Sequence, residues 1–341
     1  MLGLDILYTT PASSYSQNLA TAQALGVQVL PFSLDWDQIE PDTPTVCDAG
    51  SSYTDPVGSL AAFNALLPDA GMAASLNIRT VNTNLLAVPA SLQANAFDGG
   101  QAAIDLMACR FDRMLDFVFT QIPDLQLVSL QIGNEIDAYP GAGAVDFWSN
   151  YWGFFAQVSA YARAKRAGLK VGITATFPGL VGTSGNPLAQ GGLGQINQIA
   201  DLVGFTYYPL DSSGQVEDPS VVQSDFAAAV AAAPPGLPLF VLEAGYPSDG
   251  PSCGSSQAMQ ASFVDDLFGA WDANATRIAY VSFLRLDDTS QQDALSAAGG
   301  YGLGSSATFV AFLETLGLEQ YDGGHKPALQ ALGEQAASRG W

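Results

Sequence analysis

The chain has 341 residues, 48% hydrophobic and 13% charged, with 18 Phe, 12 Tyr and 5 Trp, a composition that excludes a disordered chain and suits a large buried core. Eleven basic residues against 33 acidic ones leave a formal charge of −22. Such a field repels phosphates and anionic lipid headgroups, so no nucleic acid and no membrane surface is expected as a partner, and a neutral or cationic ligand is. Only Lys165, Lys170 and Lys326 are lysines, and they form no cluster. The stretch Phe226 to Leu242 is interrupted by Pro234, Pro235, Gly236 and Pro238, so no transmembrane helix is expected. The strand-like run Leu4 to Tyr8 follows Met1 too closely for a signal peptide, and any leader is expected to have been removed.

Taken along the chain, strand candidates alternate with amphipathic stretches. Leu4 to Thr10 precedes a helix candidate at Ser14 to Leu25, and Val27 to Leu34 precedes one at Pro56 to Ala70. Leu76 to Asn82 leads to Gln101 to Thr120, and Leu127 to Ile132 to Val145 to Ala167. Lys170 to Thr176 is followed by the weaker helical segment Leu193 to Ile199, and Leu202 to Tyr208 by Pro219 to Ala233. Leu239 to Glu243 leads to Ser256 to Asp272, and Ile278 to Leu284 is the eighth strand. Runs such as Leu239-Phe-Val-Leu are continuously apolar, as parallel strands covered on both faces require. Eight such units predict one α/β domain over residues 1–341, a (β/α)8 barrel. A doubly wound open sheet would show a Gly-rich phosphate turn after an early strand, whereas Gly141-Ala-Gly-Ala and Gly191-Gly-Leu-Gly lie mid-chain without the full spacing.

The three cysteines are too few and too scattered for a disulfide scaffold or a zinc site. Cys109 lies at a helical core position and reads as a buried thiol. Cys47 and Cys253 fall in polar loops and form the pair expected to bridge if those loops meet, which would fit an oxidising compartment and a secreted or periplasmic location.

His325 is the only histidine, which excludes a two-histidine metal site, and no G-x-S-x-G elbow is present. None of the three lysines follows a strand, which argues against a Schiff-base barrel enzyme. Acid–base chemistry therefore falls to carboxylates, and no cofactor or metal is expected. In a barrel the C-terminal strand ends carry the active site. Glu135 closes Leu127-Val-Ser-Leu-Gln-Ile-Gly-Asn-Glu after the fourth strand, and Glu243 closes Leu239-Phe-Val-Leu-Glu in the seventh. Strands four and seven lie nearly across a small barrel, so the two carboxylates are expected to converge. Trp36, Tyr139, Tyr207, Tyr208 and Tyr246 follow strands and are candidate platforms for a ligand ring. Trp148 and Trp152, four apart on one helix, read as core, and Asp137, Asp211, Asp287 and Asp288 read as loop caps or solvated charges. The long loop Asp37 to Thr54 is expected to wall the site.

Gly133-Asn-Glu ending strand four, with a lone Glu ending strand seven, resembles the retaining glycoside hydrolases of clan A, the group that includes endo-galactanase-, mannanase- and glucanase-like barrels. The resemblance extends to Gly204-Phe-Thr-Tyr-Tyr-Pro at the end of strand six and to the post-barrel segment Gly317-Leu-Glu-Gln-Tyr-Asp-Gly-Gly-His-Lys-Pro-Ala. It implies Glu135 as acid/base, Glu243 as nucleophile, Asn134 as partner of the sugar 2-hydroxyl, and a strand-six Tyr bonded to the nucleophile. Its implied activity is hydrolysis of a β-linked, largely neutral glycan, endo or exo action left open. The alternative is a carbohydrate-binding pseudoenzyme on the same barrel. The chain departs from the clan in lacking a strand-two Arg, an active-site His and a strand-eight Trp. Arg79 on strand three is placed to take the arginine role, and Phe283 or Arg285 the place of the Trp.

Overall fold

The computed structural model describes residues 1–41, 46, 47 and 52–341. Eight parallel strands form its sheet: β1 (Leu2–Leu4), β2 (Val29–Asp35), β3 (Ala73–Asn82), β4 (Leu127–Asn134), β5 (Lys170–Gly172 and Thr174–Thr176), β6 (Val203–Tyr207), β7 (Leu239–Ala244) and β8 (Ile278–Phe283). The hydrogen-bonded order begins at Lys170–Gly172, passes through β4, β3, β2, β1, β8, β7 and β6, and ends at Thr174–Thr176. Ile173 alone separates the two ends of that order, so the sheet runs round to itself as a (β/α)8 barrel. A doubly wound sheet has no such return.

Strand placement follows the apolar runs, with one clear shift. β1 stops at Leu4 instead of reaching Thr10, because its partner β8 ends where Leu4 pairs with Phe283. Beyond it, Asp5 folds back to accept the Leu7 N–H at 2.9 Å. The helices Tyr15–Ala24, Gly100–Gln121, Val145–Lys165 and Gln257–Ala273 lie where helical periodicity predicts them. Ser14 and Ser256 cap two of them by accepting the N–H of Gln17 and Met259. Pro56 to Ala70 is shorter than expected, with its helix confined to Ser59–Leu66. Gln291–Gly300 and Ala307–Glu314, after β8, have no counterpart among the predicted elements. They are Ala-rich or short, and they pack on Cys253, Leu316 and each other. Among the described residues no helix is long and apolar enough to cross a membrane.

The chain packs as two compact units. One comprises Met1–Leu30, Thr206–Ala231 and Phe240–Trp341; the other comprises Pro31–Phe205 and Ala232–Leu239. In the second, Trp36 is wholly buried, with its ring edge-on to Phe111 at 5.1 Å. Its indole N–H donates to Glu40 at 2.9 Å, and Glu40 accepts the buried Arg110 Nε at 3.0 Å. In the first, Lys326 is 2% exposed and donates to Asp288 at 2.7 Å and to the Gly317 carbonyl at 2.8 Å. Gln260 donates to the carbonyls of Tyr246 and Gly317 at 2.8 and 3.0 Å, which ties the post-barrel segment down.

The cysteines depart from expectation. Cys47 is bonded to Cys109, with Cα atoms 6.0 Å apart, and Cys253 is a free, buried thiol. Helical periodicity placed Cys109 correctly on its helix but misjudged its face, since it is only half-buried and within reach of the loop after β2. Cys253 instead sits among apolar side chains, its Sγ 3.6 Å from the Thr308 carbonyl. Burial pushes that thiol up to about 11, and the Asp249 charge adds to the shift. Residues 42–45 and 48–51 of the loop expected to wall the site lie outside the described residues.

Because the Cys47–Cys109 bond closes a separation of 62 residues, Cys47→Ser should lower the unfolding free energy by about 4 kcal/mol, read from urea denaturation. A thiol reagent should leave Cys253 unmodified until the protein unfolds.

Candidate active site

The end of β4 is built around a missing side chain. Gly133 has φ +91, and a Cβ there would lie 2.3 Å from the Tyr151 hydroxyl and 2.6 Å from Ile136. Tyr151, fully buried on Val145–Lys165, uses that space to donate to the Ile132 carbonyl at 2.8 Å and to meet the Thr80 hydroxyl at 2.9 Å. Opposite, β3 bulges: Ile78 pairs with Ile132 and Asn82 with Asn134, so Arg79, Thr80 and Val81 together face Gly133. The bulge re-aims the end of β3, which then turns back through Thr83 and Asn84 into a two-residue antiparallel strand, Leu85–Leu86.

Two non-glycine residues at these strand ends adopt left-handed backbone, Thr83 at φ 55 and Glu135 at φ 48. Each such residue costs on the order of 1–3 kcal/mol, a cost that tends to collect at functional sites. They meet. The Thr83 hydroxyl donates to Glu135 Oε2 at 2.7 Å, and the Thr83 N–H donates to the Asn134 carbonyl at 2.9 Å. Asn134, 7% exposed, lies between Asn77, which donates to its Oδ1, and Asn82, which accepts from its Nδ2, each at 3.4 Å. Asp137, just beyond Glu135, accepts the Thr176 N–H at 2.8 Å and the Thr176 hydroxyl at 2.5 Å. Burial pushes Asp137 up to about 6 against those two donors, and the Glu135 charge adds to the rise. Arg79 is ion-paired through Nε to Asp35 at 2.6 Å, both partly buried.

In the unit that holds β7, Glu243 is half-buried and accepts the Tyr208 hydroxyl at 2.7 Å. Tyr208 is the residue of the Tyr-Tyr pair that reaches the carboxylate. Tyr207 is wholly buried and turns the other way, donating to Asp225 at 2.8 Å. Adjacent residues on a strand face opposite sides, so only one of the pair could serve. Arg285, after β8, is at φ 65 with its Nη1 3.4 Å from the Leu313 carbonyl.

Three of the aromatic platforms expected from sequence are core instead. Trp36 is sealed by Glu40, Phe111 and Phe154. Tyr207 packs on Phe226 and Phe263. Tyr246, 1% exposed, stacks on Phe263 at 5.1 Å and donates to the Glu217 carbonyl. A strand-end position does not decide orientation, and an aromatic side chain that can turn toward a helix face gains burial by doing so. Tyr139 stays half-exposed against Phe147. Trp148 is buried as expected, but Trp152 is 41% exposed, since four residues on a helix rotate by more than a full turn. Asp211 is an exposed cap for Ser213, whereas Asp287 is wholly buried and accepts Asn18 Nδ2 at 2.8 Å, and Asp288 is the carboxylate of the Lys326 pair, not a solvated charge. His325 is largely exposed and bonded to Glu319. Among the described residues, no group of three or more His, Cys, Asp or Glu side chains could hold a metal ion.

Sequence reasoning passed over Thr83 and Tyr151. Neither belongs to a motif, and the signal for both is the bulge in β3, which a periodicity pattern does not reveal.

The sequence matches no protein-family profile and no curated protein. Solved structures do match. A GH5_18 protein from Bifidobacterium longum subsp. longum, solved in complex with Manβ1-4GlcNAc, superposes with a TM-score of 0.69 at 13% identity, over 99% of this chain and 78% of that one. The exo-β-1,4-mannosidase from Opitutaceae bacterium strain TAV5 matches at 0.66 and 14% identity, over 99% of this chain and 59% of its own. A family 39 glycoside hydrolase from Bacteroides cellulosilyticus WH2 matches at 0.63 and 13% identity, over 98% of this chain and 63% of its own. Against the last two, the chain spans less than two thirds of the relative's length. What is shared is the fold.

Gly133→Ala should destabilise the protein by about 3 kcal/mol or prevent folding, because it adds a clash with Tyr151 to an unfavourable φ; chemical denaturation measures this. Asp137 gives a pH signature. Its raised value means the folded state holds the proton more tightly than the unfolded chain. The stability it contributes is full below pH 3.8 and lost as pH rises through about 6. Asp137→Asn should abolish that fall in the unfolding free energy between pH 4 and pH 7, whatever its constant offset.

Proposed function

We propose that this protein is a retaining β-glycosidase in which Glu243 is the nucleophile and Glu135 the acid/base. The observation that carries the reading is that the side chains the clan A resemblance assigns each stand in a matching local setting. Glu135 follows Asn134 at the end of β4 of a (β/α)8 barrel, and Glu243 in β7 accepts the hydroxyl of Tyr208 from the end of β6. The fold shared with glycoside hydrolases supports it.

In the first step the Glu243 carboxylate attacks the anomeric carbon while Glu135 gives its proton to the leaving oxygen. In the second, Glu135, now a carboxylate, takes a proton from water, which displaces Glu243 from the glycosyl-enzyme. The reading requires two carboxyl groups about 5–5.5 Å apart when sugar is bound. Tyr208 holds one oxygen of Glu243, which fixes the plane of the carboxylate. Asn134, steadied by Asn77 and Asn82, is the amide assigned to the sugar 2-hydroxyl. The substrate is a neutral β-linked glycan, since the guanidinium of Arg79 is already met by Asp35 and the chain carries a charge of −22. A neighbour solved with Manβ1-4GlcNAc makes β-mannosides the first sugars to test.

A panel of aryl β-mannosides, β-glucosides and β-galactosides should reveal hydrolysis whose first product, followed by NMR, keeps the β configuration. Glu243→Ala should lower kcat at least about 100-fold, and so should Glu135→Ala on substrates with poor leaving groups. Measurable sugar binding with no hydrolysis across the panel would replace this reading with a carbohydrate-binding barrel.

A further inference from the structure

We propose that Thr83 is a positioning residue for Glu135, its hydroxyl fixing the carboxyl group in the orientation from which the proton reaches the leaving oxygen. This inference rests on the glycosidase reading above. Thr83 occupies the first of two residues in a tight turn between antiparallel strands, a place where glycine, asparagine or aspartate ordinarily supplies positive φ. A β-branched residue is among the least suited to φ 55. Local folding therefore favours another residue there. What Thr contributes instead is the 2.7 Å bond from its hydroxyl to Glu135 Oε2.

The surrounding contacts aim that bond. The Thr83 N–H is held by the Asn134 carbonyl, so the turn is registered against the residue immediately before Glu135. Val81 and Asn82 pair with Leu86 and Leu85, which fixes the turn from its other side. Glu135 is itself at φ 48, and its carbonyl accepts the Ala138 N–H at 2.9 Å, so its backbone is also set. With both main chains held, the hydroxyl restrains the remaining freedom of the Glu135 side chain. A hydroxyl donor suits a group that alternates between acid and base, because Oε2 accepts its bond whether or not the other carboxyl oxygen carries the proton for the leaving group.

The experiment compares Thr83→Val, Thr83→Ser, Thr83→Gly and Glu135→Ala with wild type on paired substrates, the 2,4-dinitrophenyl and phenyl β-glycosides of mannose and glucose. The dinitrophenolate departs without a proton, whereas phenoxide needs one. In kcat/KM, which reports the glycosylation step alone, Thr83→Val should lose about tenfold or more on the phenyl glycoside and change little on the dinitrophenyl glycoside. Thr83→Ser, which keeps the hydroxyl, should restore the phenyl rate. Thr83→Gly, which relieves the backbone, should keep the wild-type melting temperature within a few degrees yet show the same leaving-group loss as Thr83→Val. Equal losses on both substrates, or a Thr83→Val enzyme indistinguishable from wild type while Glu135→Ala shows the leaving-group pattern, would overturn the role of Thr83. A Glu135→Ala enzyme without that pattern would overturn the glycosidase assignment itself.

Discussion

The end of β4 depends on one absence, the side chain of Gly133. Because nothing projects there, the Tyr151 hydroxyl can reach the Ile132 carbonyl and the Thr80 hydroxyl beneath the strand. That contact fills the space opposite the bulge in β3 and lets β4 run on to Asn134 before turning at Glu135. A Cβ at 2.3 Å from a buried hydroxyl has no flexible neighbour to displace, since Tyr151 is locked between Phe97 and Phe147 at 4.6 and 5.5 Å. The aromatic packing of an outer helix thus reaches through a single glycine to set where a carboxylate stands.

Much of the barrel was legible because parallel strands covered on both faces leave a long apolar signature. Leu239 to Glu243 and Leu127 to Ile132 are such runs, and both became β7 and β4 nearly as read. The helices after β8 were not legible, since Gln291–Gly300 is rich in Ala and Gly and has little amphipathic contrast. At the site, the positions of Asn134, Glu135, Tyr208 and Glu243 followed from where strands end. Orientation did not. Trp36, Tyr207 and Tyr246 also stand near strand ends, but each had a buried face and a polar partner available, Glu40, Asp225 and Glu217. The cysteines failed for a related reason: sequence spacing carries no information on which loop lies over which helix.

Charge in so acidic a chain is managed with few cations. Arg110 with Glu40 and Lys326 with Asp288 are pairs sealed from water. Removing one partner of such a pair leaves a buried charge and is costly, whereas the intact pair adds little net stability. Their value is therefore positional. Arg110 fixes Glu40 and through it the indole of Trp36, at the chain's exit from β2. Lys326 gathers Asp288 and the Gly317 carbonyl, at the exit from β8.

Strain is concentrated in the same places. Among described residues, the non-glycine residues with positive φ are Val57, Thr83, Phe97, Glu135 and Arg285; Thr83 and Glu135 follow directly on β3 and β4, and Arg285 lies two residues past the end of β8. A strand end in left-handed backbone turns its side chain away from the pleat and back over the strand terminus, which regular extended backbone cannot do. At Thr83 and Glu135 the two departures face one another and are joined by a hydrogen bond, so each is maintained by the other. A barrel of regular strands supplies the frame in which such paired departures persist, because the packing beneath them, here Tyr151 against Gly133, leaves no relaxed alternative.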